Sequence, residues 1–308
     1  MNVSLDAKGS SLTAAPNKPA MSSLRRWTNS LLKSRTGTLG FIILLAVVIM
    51  AVFAGAIAPH EPAKTEASKR LLPPVWMEKG SFEHPLGTDN LGRDVLSRII
   101  YGSQVSLLVG ICAVFVAGTI GVVLGLAAGY YGGWVDRIIM RIVDAFLAIP
   151  NILFMLVILA VLGPGLITLI FVLGFTGWVK YARVIRGEVL SVKERDYVRS
   201  ARSVGASDVW IITKHILPNV ISSFIVISTL SVATTIIAEA SLSFLGLGIQ
   251  PPTVSWGGML SDGRQYLATS WWVATFPGIA ITLTVLGIIF VGDWLRDMLD
   301  PRMKVKES

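Results

Sequence analysis

Six long apolar runs constrain the fold of this 308-residue chain more than any other feature of its sequence. They lie at residues 39–58, 104–129, 138–162, 166–184, 220–245 and 271–294. Each is close to the roughly 20 residues that a helix needs to cross the hydrocarbon core of a bilayer. Because backbone polar groups must be satisfied internally in lipid, such runs predict helices. The sequence therefore predicts an all-α, polytopic membrane protein with six transmembrane helices.

The composition agrees with a membrane protein and excludes an ordinary soluble domain. Hydrophobic residues make up 53% of the chain and charged residues only 15%, whereas soluble domains carry about 25% charged residues. The net charge of +8 does not indicate a nucleic-acid partner, because the chain offers no basic soluble face. The lone cysteine, Cys112, lies inside an apolar run and is interpreted as a small apolar residue.

The distribution of basic residues predicts the orientation and the segments of the chain. We expect a cytoplasmic, partly disordered tail over 1–38, an uncleaved first span over 39–58 and a periplasmic segment over 59–103. A core of five spans then covers 104–294, with a cytoplasmic loop at 185–219, and a cytoplasmic tail covers 295–308. This arrangement places 20 of the 27 Lys and Arg residues on the cytoplasmic side, as the positive-inside rule requires. Both termini are predicted to be cytoplasmic.

The sequence lacks the motifs that would indicate catalysis or a bound cofactor. No glycine-rich phosphate loop ending in Gly-Lys-Ser/Thr occurs, so no ATP site is expected in this chain. No Gly-x-Ser-x-Gly elbow occurs. The three histidines, His60, His84 and His215, are far apart in sequence and show no metal-ligand spacing. We therefore predict no catalytic, cofactor-binding or metal-binding residue, and no enzyme activity.

One polar stretch, residues 197–219, interrupts the apolar runs and reads YVRSARSVGASDVWIITKHILPN. The pattern predicts a short helix over 197–204, a break at Gly205, and a second helix over 207–213 that Ser207 or Asp208 caps. Pro218 is suited to the first turn of the following helix. A helix–glycine–helix unit of this kind is a rigid piece that another protein can grip. The alternative is a solvated loop between two spans.

The same stretch resembles the coupling loop of the permease subunits of bacterial ATP-binding-cassette importers. That family has Glu-Ala-Ala, three residues, Gly, nine residues, and Ile-x-Leu-Pro. Here Arg199 and Ser200 replace Glu-Ala, and His215 replaces Ile, while the spacing and the terminal Leu-Pro are kept. The resemblance implies that an ATPase docks on Arg199, Ser200, Ala201, Gly205, Ala206, Ser207, Asp208, His215, Leu217 and Pro218.

Further segments narrow the resemblance to the C-type permease of the dipeptide/oligopeptide (peptide/nickel) importers. These segments are HPLGTDNLGRDVLSR at 84–98, SLSFLGLGIQPPTVSWGGML at 241–260, FPG at 276–278 and the stretch 292–301. The family implies one N-terminal span plus a five-helix type I importer core in a bacterial inner membrane. It also implies a homologous B-type permease, two ATP-binding subunits holding ATP and Mg²⁺, and an extracytoplasmic substrate-binding protein.

The resemblance implies ATP-driven import of peptides or peptide-like solutes but does not identify the substrate. Relatives of the same build import glutathione, nickel complexes or sugars. Hydropathy alone would also fit a secondary transporter or a channel, although neither needs a coupling loop.

Four residues within the spans are candidates for packing or for the pathway. Gly121, Gly125 and Gly129 recur on one helix face, and small residues at that spacing predict a seam against a neighbouring span. Glu239 is an ionisable residue inside the fifth span. Such residues often mark a pathway, but a structural role, in which Glu239 satisfies a helix break near Ser241 and Ser243, is the favoured interpretation.

Overall fold

The computed structural model describes residues 23–299, and this part of the chain is almost entirely helical. The helices are α1 Ser23–Lys33, α2 Arg35–Val52, α3 Ala54–Ile57, α4 Val95–Tyr131, α5 Gly133–Leu147, α6 Asn151–Leu162, α7 Leu166–Lys193, α8 Asp196–Ser203, α9 Asp208–Ile211, α10 Leu217–Phe244, α11 Trp256–Gly263 and α12 Trp272–Leu299. Within this range the extended pairing is a single bridge between Thr88 and Asp94. The predicted disordered segment at the N-terminus and the end of the C-terminal tail lie outside the described residues.

Five of these helical segments are long and apolar enough to cross a membrane. They are α2, α4, α7, the segment Asp208–Phe244 that contains α9 and α10, and α12. The remaining predicted span, at residues 138–162, was expected to be one helix. It is instead two helices, α5 and α6, which meet at an angle of 88°. Pro150 explains the break because it lacks an N–H and disfavours helical dihedrals at the preceding residue.

Helix α4 forms the centre of the molecule, packed against α7, α10 and α2. The first span also packs closely on the last. A Cβ atom on Gly40 of α2 would lie 2.8 Å from the carbonyl oxygen of Gly287 in α12. Only glycines allow backbones to approach so closely, and such contacts hold helices together in lipid. The N-terminal span is therefore an integral part of the bundle.

Several helices extend beyond their predicted ends. Helix α4 begins at Val95 rather than at residue 104, and Asp94 caps it by accepting a 2.7 Å hydrogen bond from the Ser97 N–H. Helix α7 continues to Lys193 instead of ending at residue 184, because Val189 and Val192 on the added turns are buried. The polar loop therefore begins after Lys193, not at residue 185. Helix α12 likewise continues to Leu299.

Candidate functional site: the polar loop 194–219 and the adjoining cleft

The break at Gly205 has the geometry of a Schellman motif. Helix α8 ends just before Gly205, whose φ is 82°. The Gly205 N–H donates to the Arg202 carbonyl at 3.0 Å, and the Ala206 N–H donates to the Ala201 carbonyl at 3.1 Å. This pair of bonds satisfies the last carbonyls of α8 and requires a left-handed residue at position 205. The first predicted helix and the glycine break are thus present.

The second predicted helix does not end at Thr213, and this expectation was wrong. The Ser207 hydroxyl caps α9 by accepting a hydrogen bond from the Trp210 N–H. The chain then continues without interruption through a π-helical turn at Ile212–Ile216 into α10. Pro218, which lacks an N–H, lies at the start of α10. The wider turn brings the Leu217 N–H to the Ile212 carbonyl, so the missing donor at Pro218 is accommodated without ending the helix.

The inner face of the polar loop is packed into the bundle. Val198 of α8, Ile211 of α9 and Ile216 of the π-helical turn are each at most 1% exposed. They contact a cluster that includes Ile185 and Val189 of α7. Full burial of one such side chain contributes about 1.5–3 kcal/mol. The loop is therefore fixed to the spans rather than freely solvated.

Polar contacts fasten the same loop to α4. The Tyr130 hydroxyl lies 2.6 Å from a carboxylate oxygen of Asp208. The Arg202 guanidinium lies 5.3 Å from the centre of the Tyr130 ring, within the range of a cation–π contact. The Lys193 ammonium donates to the Gly129 carbonyl at 2.8 Å. Tyr130 therefore joins both halves of the loop, one on each side of Gly205, to the end of α4.

The outer face of the loop presents apolar side chains. Val204 is 84% exposed, Val209 70% and Trp210 45%. A Cβ at Gly205 would meet no atom within 4 Å. We call the surface formed by Val204, Gly205, Val209 and Trp210 the loop knob. A rigid support beneath exposed apolar residues is the usual property of a docking surface.

The remaining predicted docking residues surround the loop knob. Arg199 and Ser200 are exposed on α8, and Arg199 pairs with Glu194 at 3.4 Å. His215 packs between two rings, with its centre 4.8 Å from Trp210 and 5.5 Å from Tyr197. Ala201, Ala206 and Leu217 are partly buried, whereas Ser207, Asp208 and Pro218 are exposed. All ten predicted residues thus lie on the polar loop or at the start of α10, around the loop knob.

The glycines of α4 lie along α7. A Cβ on Gly121 would come within 2.6 Å of the Trp178 carbonyl oxygen, and one on Gly125 within 2.8 Å of the Ala182 carbonyl oxygen. One on Gly129 would lie 2.7 Å from Val189 Cβ. The two helices therefore pack backbone to backbone along this face, and the seam connects the polar loop to the centre of the bundle.

A cleft of about 560 Å³ opens beside this seam. It lies where α5 breaks into α6, against α4, α7 and α10, and its lining combines apolar residues with Thr176, Lys180, Thr234 and Thr235. Ligand-binding clefts commonly combine an apolar lining with a few polar groups in this way. The break between α5 and α6, within what was predicted as a single span, thus forms one wall of the cleft.

Glu239 does not line this cleft. It is fully buried in α10 and accepts a 2.8 Å hydrogen bond from the Ser243 hydroxyl one turn further along. The position of Glu239 favours the structural alternative, support of the end of α10, over a pathway role. Trp256, at the start of α11, is also fully buried and donates its indole N–H to the Ile99 carbonyl at 2.9 Å. Trp256 therefore acts as an internal brace.

A buried ionic network holds the segment between the first two spans. Asp89 accepts hydrogen bonds from the Arg93 backbone and from its guanidinium, and it pairs with Arg98 of α4. Both arginines reach Asp262 of α11, at 2.9 and 3.2 Å. At the surface of the same segment, hydrogen bonds from Lys69 and Lys64 lower the pKa of Glu66 to about 2.

The fold also brings together two histidines that sequence reasoning separated. The rings of His60 and His84 lie 4.7 Å apart, with the carboxylate of Asp94 beside them. The two histidines are 24 positions apart in the sequence, so a local spacing rule for metal ligands could not find them. Residues 84–98 had been singled out only as part of the family resemblance, which gave no indication of a contact with His60.

The bundle, its broken helix and its polar loop define a polytopic membrane permease. The family model for binding-protein-dependent transport system inner membrane components matches residues 121–305. The model for the N-terminal transmembrane domain of oligopeptide transport permease C matches residues 22–74. The chain belongs to the inner-membrane permeases of binding-protein-dependent transport systems, in the C-type peptide branch.

Individual relatives agree over most of the chain. A glutathione transport system permease protein of Escherichia coli O6:K15:H31 is 46% identical, covering 86% of this chain and 85% of its own length. A di/tripeptide transport system permease protein of Pseudomonas aeruginosa is 40% identical, covering 92% and 93%. The solved inward-facing MetNI methionine ABC transporter shares the fold, with a TM-score of 0.53 at 20% identity over 66% of this chain and 96% of that one. The prediction of a type I importer permease is confirmed.

Proposed function

We propose that this chain carries solute through an ATP-driven importer in which the loop knob receives force from a separate ATPase. The proposal rests on the two different faces of the polar loop. Its inner face is locked into α4 and α7 by buried contacts, while its outer face exposes Val204, Val209 and Trp210. A loop with this construction transmits a push on the loop knob to the spans instead of absorbing it.

The proposed mechanism follows from the direction of those contacts. Helix α8 follows α7 after a bend in the chain. Movement of the loop knob therefore pulls on α7 and on the continuous segment Asp208–Phe244. Both flank the cleft. A partner that binds the loop differently in its ATP-bound and ATP-free states would therefore bias the cleft between two arrangements. The chain needs no catalytic residue of its own for this role.

The proposed partners are a homologous B-type permease, two ATP-binding subunits holding ATP and Mg²⁺, and an extracytoplasmic substrate-binding protein. Large apolar residues remain exposed on α4, α6 and α7, such as Phe115, Val161 and Phe171, and they supply surface for lipid and for the sister permease. Purified alone, this chain should neither bind nor hydrolyse ATP. ATP hydrolysis by the rigorously purified single chain would contradict the proposal.

We propose peptides or peptide-like solutes as the transported class. The support comes from relatives named for di/tripeptide and for glutathione transport, since glutathione is itself a modified tripeptide. The alternative is that this importer, although of the same family, carries another solute such as a nickel complex or a sugar. Uptake of labelled dipeptide, glutathione, nickel complex and sugar by proteoliposomes holding the complete complex distinguishes these cases. Uptake that continues without ATP would support a secondary transporter instead.

The proposed orientation places both termini and the loop knob in the cytoplasm of a bacterial cell. A cysteine introduced at Ser34 or Ser308 should react only with reagents on the cytoplasmic side, and one at Ser81 only with reagents outside. For this experiment the single cysteine is first removed by Cys112→Ala, so that only the introduced cysteine can react. Labelling of Ser34 and Ser308 from opposite faces would contradict the orientation.

A further inference from the structure

His60, Glu83 and His84 form a side-chain cluster in the segment between the first two spans. Each residue offers one nitrogen or oxygen ligand atom, and these atoms all lie within 4.8 Å of one another. His60 follows the end of α3 by three residues, whereas Glu83 and His84 precede α4. The cluster therefore joins two parts of the chain that are far apart in sequence.

Asp94 holds His84 in the orientation that a metal ligand requires. A carboxylate oxygen of Asp94 lies 3.0 Å from His84 Nδ1. The other oxygen accepts hydrogen bonds from the N–H and the hydroxyl of Ser97, each at 2.7 Å, so the carboxylate cannot turn away. An ionised carboxylate only accepts hydrogen bonds, which places the proton of a neutral His84 on Nδ1. Metal-binding histidines are commonly fixed by a carboxylate in this way.

The opposite nitrogen of His84 lacks a partner. His84 is 3% exposed, and its Nε2 atom is buried without a hydrogen-bond donor or acceptor among the described residues. His60 Nδ1 is also buried without a hydrogen-bond partner, and it lies 3.9 Å from a carboxylate oxygen of Asp94. Buried polar atoms without hydrogen-bond partners destabilise a fold. Among the described residues no donor reaches His84 Nε2, and a metal ion bound between this nitrogen, His60 and Glu83 would give it a partner.

We propose that His60, His84 and Glu83 bind a divalent transition metal of the Zn²⁺ class. Two imidazoles and one carboxylate suit zinc, with a water in the fourth position, and they do not suit Mg²⁺ or Ca²⁺, which prefer all-oxygen sites. Ligand atoms around a tetrahedral zinc lie about 3.3 Å apart. The half-exposed side chain of Glu83 can close the remaining distance.

Lys69 forms an ion pair with Glu83 and can give up this contact without becoming unpaired. Its ammonium lies 2.6 Å from a Glu83 oxygen and 2.8 Å from a Glu66 oxygen. When a metal takes Glu83, Lys69 keeps Glu66. The bound metal would then staple the end of the first span to the start of α4, since Asp94 is the N-cap of that helix. This role is independent of the proposed transport function.

Zinc binding to the purified, complete complex tests the site. Zn²⁺ alone is titrated after chelator treatment, followed by metal analysis of the washed protein. Wild-type complex should retain one more zinc per chain than the His60→Ala and His84→Ala variants, and Glu83→Gln should weaken binding at least tenfold. His215→Ala, which removes the histidine outside the cluster, is the matched control and should leave zinc content unchanged.

Glu83→Gln keeps the test decisive if a histidine variant fails to fold, because Glu83 is exposed. Substitution with Co²⁺ gives a second readout, since wild-type complex should develop visible ligand-field absorption that Glu83→Gln alters and His215→Ala does not. Equal zinc content in wild type, His84→Ala and Glu83→Gln would overturn the proposal. So would an equal loss of zinc in His215→Ala. Neither result would bear on transport.

Discussion

The hydroxyl of Tyr130 lies 2.6 Å from the carboxylate of Asp208, so the end of α4 is tied directly to the first turn of α9. The Arg202 guanidinium lies over the same tyrosine ring. Tyr130 thus contacts the loop on both sides of Gly205. Because α4 also packs along α7 through its glycines, this one contact connects the loop knob with the helices that flank the cleft.

Removal of the Tyr130 hydroxyl should loosen the loop without unfolding the bundle. Tyr130→Phe keeps the buried ring and loses one hydrogen bond to a carboxylate, and hydrogen bonds to charged groups contribute about 1.5–3 kcal/mol. We expect substrate-stimulated ATP hydrolysis and uptake by the complex to become partly uncoupled, with more ATP consumed per solute imported. Tyr131→Phe is the control, because Tyr131 is 57% exposed and its hydroxyl has no described bond to the loop. Equal coupling in both variants would count against a role for this contact.

The seam between α4 and α7 predicts a strong position dependence for added methyl groups. Gly125→Ala places a Cβ 2.8 Å from the Ala182 carbonyl oxygen and from Ile185 Cβ, and overpacking of this kind costs about 1–3 kcal/mol. Gly187→Ala, on the exposed face of α7, meets no atom within 4 Å. Thermal unfolding in detergent should show a lowered midpoint for Gly125→Ala and an unchanged or higher one for Gly187→Ala. Similar midpoints would contradict the close packing.

Neutralisation of Asp89 should destabilise the segment between the first two spans. Its side chain is 1% exposed and pairs with Arg93 and Arg98, so Asp89→Asn leaves buried positive charge without compensation at a cost of about 3–5 kcal/mol. Protease digestion from the outer side should then cut this segment faster. Glu78→Gln, an exposed carboxyl in the same segment, should leave the cleavage rate unchanged. An unaltered rate in Asp89→Asn would show that the network is not structural.

Features governed by local chemistry could be predicted from the sequence. Gly205 marks the left-handed break because few other residues accept that conformation, and the apolar runs define the helices because lipid demands internal hydrogen bonds. Helix ends were harder to place, since the buried residues Val189 and Val192 extend α7 through a polar stretch. The 88° bend between α5 and α6 at Pro150 was not predicted in size, because it depends on packing against neighbouring helices.

Long-range contacts could not be predicted from spacing. His60 and His84 are separated by 24 positions. They meet because α2, α3 and the segment between the first two spans pack against α4. The tie between Tyr130 and Asp208 spans 78 positions. For Glu239 the sequence left two roles open, a pathway residue or support of a helix break near Ser241 and Ser243. The bond to Ser243 is local, whereas the full burial of Glu239 depends on how the neighbouring helices pack against α10.

The conformation of Gly205 predicts a graded series of variants. Other L-residues at positive φ cost about 1–2 kcal/mol, whereas asparagine accepts this conformation more readily. Gly205→Asn should therefore retain more coupling than Gly205→Val, as measured by uptake per ATP hydrolysed. Apart from the two neighbouring residues, no atom in residues 23–299 lies within 4 Å of the added Cβ, so a clash within this part of the chain cannot explain a loss. Equal coupling in Gly205→Asn and Gly205→Val would show that the backbone conformation is unimportant.

Gly205→Trp tests the central claim, which is that an ATPase docks on the loop knob. The matched control is Gly163→Trp, because Gly163 also has a positive φ, of 84°, and no atom within 4 Å of an added Cβ, but it lies between α6 and α7. The measurement is solute uptake and ATP hydrolysis by the complete complex in proteoliposomes. Gly205→Trp should insert and pair with its sister permease, yet lose most uptake and substrate-stimulated hydrolysis, while Gly163→Trp should keep both. Uptake by Gly205→Trp at the wild-type rate would contradict the account.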